Sequence, residues 1–276
     1  IDMRKAANFV VAALWGLVFV GAGCAEVGIT GRKQLNFLPD SIINSMSIQQ
    51  YSAFISQSKL SPDAAKTAMV KRVGERICAA VDQYCKEHSD SDPFAGYEWE
   101  FNLVEDPNVN AFAMPGGKVV VYTGILPVTQ TEAGLATVMG HEIAHVFAKH
   151  GSERMSQQLV VQLGSVALST ALRDQPEATQ NIFMSAFTVG SQVGLLLPYS
   201  RKHEYEADRL GTIFMAMAGY DPHEAVTFWQ RMAALKGDGA STPAFLSTHP
   251  ADASRIQKLQ ELMPEAMEYY KPVARQ

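Results

Sequence analysis

The residues His141-Glu142-Ile143-Ala144-His145 decide the fold, because they set two histidines and a glutamate at HExxH spacing within one predicted helix. Residues four apart lie on one helical face, so both imidazoles can reach one metal ion while Glu142 projects beside them. Thr129 and Glu132 have capping-box spacing, which predicts a helix that begins there and continues to His150. The motif therefore predicts a metal site on one face of a single helix.

A third metal ligand has to come from elsewhere, because a catalytic zinc takes three protein ligands and keeps a fourth position for water. Glu204 and Asp208 share one face of a later predicted helix at i and i+4, whereas Glu206 points elsewhere. We predict Glu204 as the ligand and Asp208 as an acceptor that orients a ligating histidine. The alternative is a solvated helix face whose charges form surface ion pairs.

His150 is the next histidine along the chain and follows His145 by five residues. A histidine a short step beyond a glycine would give a metzincin ligand set, but His150 precedes Gly151 and is rotated off the metal face. We interpret His150 as a polar residue at the helix end, where an imidazolium interacts favourably with the helix dipole. Gly151 is expected to end the helix.

The amino-acid composition and the net charge exclude some classes of function. Of the 276 residues, 47% are hydrophobic and 18% are charged, which is typical of a globular protein. The formal net charge is -5, and there is no run rich in Lys and Arg. Because nucleic-acid phosphates require clustered positive charge, no nucleic-acid partner is expected.

The N-terminal segment has the pattern of an export signal, with a basic pair followed by a charge-free stretch over residues 6–25. Small residues before Cys24 resemble a bacterial lipoprotein cleavage site, so residues 1–23 are predicted to be a signal peptide and Cys24 to carry lipid. An uncleaved membrane anchor and simple secretion remain alternatives. Ala25, where an Asp would retain many lipoproteins in the inner membrane, slightly favours the outer membrane.

Cys78 and Cys85 are the other two cysteines of the chain. Seven residues along a helix rise about 10.5 Å, so these thiols can pair only if a helix ends between them. A disulfide in an oxidising compartment and two free thiols both remain open.

The rest of the chain is predicted to be mostly helical with a small sheet. Apolar residues at helical spacing between Asp40 and Tyr84 predict two or three helices. Apolar and polar residues that alternate from Tyr97 to Leu103 predict a strand there, and a second strand is predicted over Lys118 to Tyr122. Glu153 to Leu172 and Pro176 to Leu197 are apolar but interrupted by polar residues, so they are predicted to form a buried helical pair. Further helices are predicted over Arg201 to Ala218, Pro222 to Leu235 and Ala251 to Leu262.

Five blocks of sequence follow one another along the chain: residues 30–35, 110–117 with 119–124, 141–145, 200–208, and 247–250 with 255–256. Together they resemble the zinc metallopeptidases that include HtpX, the CAAX prenyl endopeptidase, mitochondrial Oma and periplasmic BepA-type proteases. The resemblance implies a gluzincin (zincin-like) fold of the α+β class, mostly helical, with a small β-sheet beside the HExxH helix. It implies an N-terminal arm and helix over 24–60 and a catalytic domain over 61–276.

The resemblance also implies the roles of individual residues. His141, His145 and Glu204 would bind one Zn2+ per chain, and Glu142 would be the general base for a zinc-activated water. An edge strand near Lys118 to Tyr122, entered from Asn110 to Gly117, would bind an extended substrate. Its substrate-contacting residues are expected to be Asn110, Ala111, Phe112 and Ala113.

The resemblance leaves more than one role open for His249. In BepA-type relatives the matching histidine lies on a loop that can cover the zinc, so His249 would occupy the open metal position at rest. It could instead stabilise the oxyanion, or belong to a His-Pro turn that caps the last helix. Arg255 would support either arrangement without being catalytic.

The implied function is that of a zinc endopeptidase of the bacterial cell envelope that degrades misfolded or unassembled proteins. Its expected partners are unfolded or extended polypeptides, the membrane through the lipid anchor, and envelope assembly machinery. The chain would face the periplasm as a compact protease without the C-terminal repeats of BepA. The alternative is a metal-containing envelope chaperone or assembly factor with little proteolysis.

Overall fold

The computed structural model describes residues 24–88, 94–191, 197–235 and 243–272, so the predicted signal peptide over 1–23 lies outside the described residues. The predicted α+β class with mostly helical content is confirmed. The strands are β1 (Cys24–Glu26), β2 (Lys33–Leu35), β3 (Glu100–Val104), β4 (Ala111–Met114) and β5 (Lys118–Tyr122). The helices are α1 (Asp40–Gln57), α2 (Ala64–His88), α3 (Leu126–Thr129), α4 (Glu132–Phe147), α5 (His150–Ala171), α6 (Glu177–Ser191), α7 (Leu197–Met217), α8 (His223–Ala234), α9 (Ala244–Thr248) and α10 (Ala253–Glu268).

The chain folds as two compact units. Among the described residues, the sheet unit comprises those within 43–150 and 200–272, and the arm unit comprises those within 24–42 and 151–199. The core of the sheet unit lies between the sheet and helices α2 and α4, and its largest fully buried side chains include Ile77, Leu103 and Met139. The catalytic domain over 61–276 and the arm over 24–60 stay predictions.

The three-stranded sheet has the order β3-β5-β4, with β5 parallel to β3 and antiparallel to β4. The predicted strand over Lys118 to Tyr122 is therefore the central strand and not an edge strand, and the edge is formed by β4. Gly116 and Gly117, both with φ of +85°, reverse the chain so that β4 pairs with β5. Both edges of β5 are thereby occupied, and its three valines are fully buried.

Helix α4 carries the HExxH residues and is shorter than predicted. Thr131 and not Thr129 caps it, because the Thr131 hydroxyl accepts a hydrogen bond from the Gly134 N–H at 3.0 Å. The helix ends at Phe147, and Lys149 with a φ of +53° redirects the chain. His150 therefore begins the next helix and does not end this one.

The course of helix α2 bears on whether Cys78 and Cys85 can form a disulfide. Cys78 and Cys85 lie seven residues apart on this continuous helix, and both side chains are buried outside any disulfide. The helical rise between them exceeds the separation that a disulfide tolerates. Of the two alternatives, the structure favours thiols that are not joined by a disulfide.

The predicted helical pair is present as α5 and α6, but the prediction that it is buried is wrong. Leu163, Val166 and Ile182 are 60%, 59% and 69% exposed. The apolar pattern of these segments thus occurs on a solvent-exposed surface. Within the part of the chain that the structure describes, no helix is both long enough and apolar enough to cross a membrane.

Candidate metal centre

Four side chains converge at the predicted metal site. His141 and His145 come from α4, Glu204 from α7, and His249 follows α9. Their candidate ligand atoms all lie within 4.8 Å of one another. Nε2 of His141 lies 3.1 Å from Nε2 of His145, 3.4 Å from Oε2 of Glu204 and 3.2 Å from Nδ1 of His249. The structure therefore brings together the three predicted ligands and His249, the residue predicted to occupy the open metal position.

This donor set fits a tetrahedral zinc ion. When ligand atoms lie about 2.0–2.1 Å from zinc, neighbouring atoms of a tetrahedron lie about 3.3 Å apart. The three distances from Nε2 of His141 and the 3.0 Å from Nδ1 of His249 to Oε2 of Glu204 are close to this value. Two imidazoles and one carboxylate are also a known catalytic ligand set. His141, His145 and Glu204 could hold the ion, and His249 stands at the fourth position.

Two glycines let the helices that carry these ligands approach each other closely. Gly140 precedes His141 on α4 and faces Gly211 on α7. A Cβ atom added to Gly140 would lie 2.7 Å from the Gly211 carbonyl oxygen, and one added to Gly211 would lie 2.7 Å from the His141 nitrogen. Side chains larger than hydrogen would push α4 away from α7, so the crossing determines how near Glu204 comes to the histidines.

The ring nitrogen of His141 that faces away from the cluster is held by a carboxylate. Nδ1 of His141 lies 3.1 Å from Oδ1 of Asp208, the residue predicted for this contact. Arg255 donates two hydrogen bonds to Asp208, at 2.6 and 2.8 Å, and its Nη1 lies 3.0 Å from Oε2 of Glu204. The guanidinium also stacks on Trp229 at 3.8 Å from the ring centroid. Arg255 therefore fixes two of the acidic residues beside the cluster.

His145 is supported by residues whose role the sequence did not reveal. Nδ1 of His150 lies 2.8 Å from Nδ1 of His145, and Nε2 of His150 lies 2.9 Å from Oε2 of Glu206. The prediction of His150 as a polar residue at the end of α4 is therefore wrong, and so is the prediction that Glu206 points elsewhere. The turn at Lys149 brings the imidazole of His150 back against α4, which a single continuous helix could not do.

Glu142 lies between the cluster and the sheet. Its Oε2 accepts a hydrogen bond from the Ala113 N–H at 3.3 Å, and its Oε1 lies 3.4 Å from Nε2 of His249. The side chain is buried, and burial raises the pKa of the Glu142 carboxyl although nearby His249 and His141 oppose the shift. A carboxylate in this position can accept a proton close to the metal position and to the edge of β4.

The charges of the cluster prepare it for a cation. Burial lowers the pKa of His145 well below its ordinary value, which keeps its imidazole neutral. Burial also lowers the pKa of His141, but hydrogen bonds to Asp208 and Glu204 outweigh it and raise that pKa to about 9. Burial opposes ionisation of Glu204, yet three histidines hold its pKa far below the ordinary range. Metal binding would therefore displace a proton from His141.

The predicted substrate strand lies along the edge of the sheet next to α4. Ala111, Phe112 and Ala113 belong to β4, whereas the Asn110 carbonyl accepts a hydrogen bond from the Tyr122 N–H just before the strand. The Phe112 ring packs against Phe54, with centroids 5.3 Å apart. The sequence therefore located the edge beside the site, although it assigned the edge to the following strand.

The buried HExxH helix, the carboxylate from a second helix and the small sheet define a metallopeptidase of the gluzincin type. Residues 64–263 match the sequence profile of Peptidase family M48. The chain belongs to this family, which confirms the family resemblance, the fold class and the metallopeptidase class of enzyme.

Known members of the family cover much of the chain. The mitochondrial metalloendopeptidase OMA1 of Schizosaccharomyces pombe is 35% identical over 262 residues, which is 92% of this chain and 72% of the relative. The human OMA1 metalloendopeptidase is 30% identical and covers 87% of this chain, but only 46% of its own length is matched. The putative beta-barrel assembly-enhancing protease of Vibrio cholerae is 34% identical over 58% of this chain and 34% of the relative.

Proposed function

We propose that the protein is a zinc-dependent endopeptidase of the bacterial cell envelope that hydrolyses misfolded or unassembled proteins. The proposal rests on one observation, the cluster of His141, His145, Glu204 and His249, whose candidate ligand atoms lie within 4.8 Å of one another, with the Glu142 carboxylate 3.4 Å from His249. His141, His145 and Glu204 are proposed as the zinc ligands and Glu142 as the general base. Asp208 is proposed to orient the imidazole of His141.

The reaction requires proton transfer at one carboxylate. Bound zinc would supply a Lewis acid that polarises the scissile carbonyl and makes a water molecule more acidic. Glu142 takes the proton of that water and passes it to the leaving amine as the peptide bond breaks. Burial supports this role, because it raises the pKa of Glu142 toward the value at which a carboxyl can both accept and donate. No covalent enzyme intermediate is needed.

The substrate is proposed to bind as an additional strand along β4. The Ala113 N–H points to Glu142, whereas β5 occupies the opposite edge of β4. An extended peptide on the free edge would therefore lie beside the general base. Pairing through main-chain hydrogen bonds is indifferent to side-chain identity, so the protease would favour unfolded or extended segments.

His249 is proposed to act as a latch. Its Nδ1 lies 3.0 Å from Oε2 of Glu204 and its Nε2 lies 3.4 Å from Oε1 of Glu142, so it stands between the ligand set and the general base. The side chain follows the short helix α9 and precedes Pro250, a position that permits movement with the loop. Displacement of His249 would open the fourth metal position for substrate, and the displaced imidazole could then stabilise the oxyanion.

The test compares four full-length proteins for bound zinc and for cleavage of unfolded casein. Glu142→Gln should retain zinc and lose activity by several orders of magnitude, whereas Glu132→Gln, at the partly exposed start of the same helix where the side chain pairs with Arg72, should leave both unchanged. Faster cleavage by His249→Ala would support the latch. If all variants and the parent bind zinc and none cleaves, the protease proposal fails and the alternative of a metal-containing chaperone gains support.

A lipid anchor on Cys24 is proposed to hold the protein at the periplasmic side of the envelope, with the outer membrane slightly favoured by Ala25. The relative from Vibrio cholerae, named for β-barrel assembly, supports envelope assembly machinery as a partner. Metabolic labelling with palmitate tests the anchor. The parent should incorporate label, and Cys24→Ser should not. Equal labelling of the two proteins would contradict the proposal.

A further inference from the structure

Helices α5 and α6 each expose large apolar side chains. On α5, Val160, Leu163 and Val166 recur every three residues and are 38%, 60% and 59% exposed. On α6, Ile182 and Val189 recur at i and i+7 and are 69% and 61% exposed. Residues at these spacings share one helical face. A water-exposed surface of this kind on a folded protein indicates an interaction site.

Beyond their first turns, the two helices also lack charged residues around their whole circumference. Residues 155–172 and 178–191 contain no Asp, Glu, Lys or Arg, although 18% of the chain is charged. The exposed polar residues among them are uncharged, and include Gln162, Thr170 and Ser185. A protein partner normally leaves a charged rim around an apolar centre, whereas a bilayer disfavours charge over the whole inserted surface.

Charged residues lie at the start of α5 and at the connection between α5 and α6. Glu153 and Arg154 lie in the first turns of α5, and Arg173, Asp174 and Glu177 lie at the connection to α6. The Gln180 side chain donates hydrogen bonds to the carbonyls of Arg173 and Gln175, which orders this connection. The charge-free surface is therefore bounded at both ends of α5.

The N-terminal arm is attached to the start of α5. Arg32 donates two hydrogen bonds to Glu153, at 3.1 and 2.8 Å, and the Glu153 side chain is completely buried. The Leu35 N–H donates to the same carboxylate at 3.3 Å, and Leu35 pairs with Cys24 between β2 and β1. A membrane anchor at Cys24 would thus hold the base of α5 close to the bilayer.

We propose that the apolar surface of α5 and α6 lies in the interface of the bilayer to which Cys24 is anchored, with Leu163, Val166 and Ile182 among the inserted side chains. The inference rests on the proposed membrane anchoring. Burial of the apolar faces among lipid headgroups and acyl chains is favourable, and the uncharged polar residues remain compatible with the headgroup region. The surface would add to the attachment that the lipid on Cys24 provides.

The test uses the full chain in phosphatidylcholine and phosphatidylglycerol vesicles. A nitrobenzoxadiazole fluorophore is attached to Leu163→Cys, Ile182→Cys and, as the matched control, Leu60→Cys, because Leu60 is an exposed apolar residue of the sheet unit. The unsubstituted chain, with Cys78 and Cys85 buried, gives the labelling background. Labels at 163 and 182 should show blue-shifted emission and several-fold stronger quenching by spin-labelled lipid than the label at 60.

A second measurement needs no substitution. Hydrogen exchange of the unmodified chain should slow within residues 155–172 and 178–191 when vesicles are present. A chain that floats with vesicles but shows neither change would overturn this inference while leaving the anchor intact. Failure to float would overturn the anchor and this inference together. Dimers cross-linked through the Leu163→Cys variant would instead show that a second copy covers the surface.

Discussion

The imidazoles of His145 and His150 meet through their Nδ1 atoms at 2.8 Å, so the nitrogen of His145 that faces away from the metal position has a histidine partner. His150 is fixed in turn by Glu206 at 2.9 Å and by the stacked ring of His203, with centroids 4.2 Å apart. Because one nitrogen of His145 is engaged in this way, the other is left to face the metal position. The contact between Asp208 and Nδ1 of His141 orients that neighbouring imidazole in the same way.

Replacement of His150 by Ala should therefore weaken zinc binding. Loss of a partner that orients a ligand typically lowers metal affinity by about 10–100-fold. Competition with a chromogenic chelator measures the affinity directly. His223→Ala is the matched control, because His223 also contacts a carboxylate, Asp221 at 2.8 Å, but is exposed and remote in the chain from the ligands. Equal affinity of His150→Ala and the parent would refute the supporting role.

Replacement of Arg255 by Gln should destabilise the fold much more than replacement of another paired arginine. Arg255 and Asp208 are both buried, so the substitution leaves the Asp208 carboxylate without its cation, at a cost of about 3–5 kcal/mol. Arg209 makes an equally short contact with Glu265, but both side chains are more than a third exposed, and Arg209→Gln should cost about 0–1 kcal/mol. Urea unfolding of the two variants measures the difference, and similar losses would argue against it.

A methyl group at the helix crossing should disturb the site without changing any ligand. Gly211→Ala would place a Cβ atom 2.7 Å from the His141 nitrogen, so α4 and α7 must separate. We expect a loss of several degrees in melting temperature and weaker zinc binding. Gly151→Ala, in α5, meets no atom within 4 Å and should be neutral or slightly stabilising. If Gly211→Ala binds zinc as tightly as the parent, the close approach is not needed for the ligand geometry.

The thiol of Cys78 should resist alkylation even in alkaline solution. Burial raises the pKa of Cys78 far above the ordinary thiol value of about 8.5, so the native thiol keeps its proton where an unfolded thiol loses it. The free energy of unfolding should consequently fall as the pH rises above about 8.5. In a Cys24→Ser background, iodoacetamide should label neither Cys78 nor Cys85 until urea is added. Rapid labelling of the native protein would contradict the burial of the two thiols.

The sequence was sufficient where chemistry depends on spacing within one element. HExxH spacing placed His141 and His145 on one helical face, and the i, i+4 spacing of Glu204 and Asp208 placed both toward the site. The sequence was insufficient for α5 and α6, because an apolar helix packed against a core and an apolar helix exposed to solvent have the same hydrophobic pattern in sequence. Only the tertiary structure shows whether such a helix is buried or exposed.

Tertiary structure also decided which strand forms the edge. The alternating and valine-rich segments predicted strands, but the pairing order follows from the reversal at Gly116 and Gly117. In the same way, the turn at Lys149 brings His150 to His145, although their separation in sequence excludes a shared helical face. The sequence by itself determined the metal ligands as candidates and the mostly helical class, since both follow from local periodicity. The partners of those ligands depend on contacts between elements, so only the folded chain determines them.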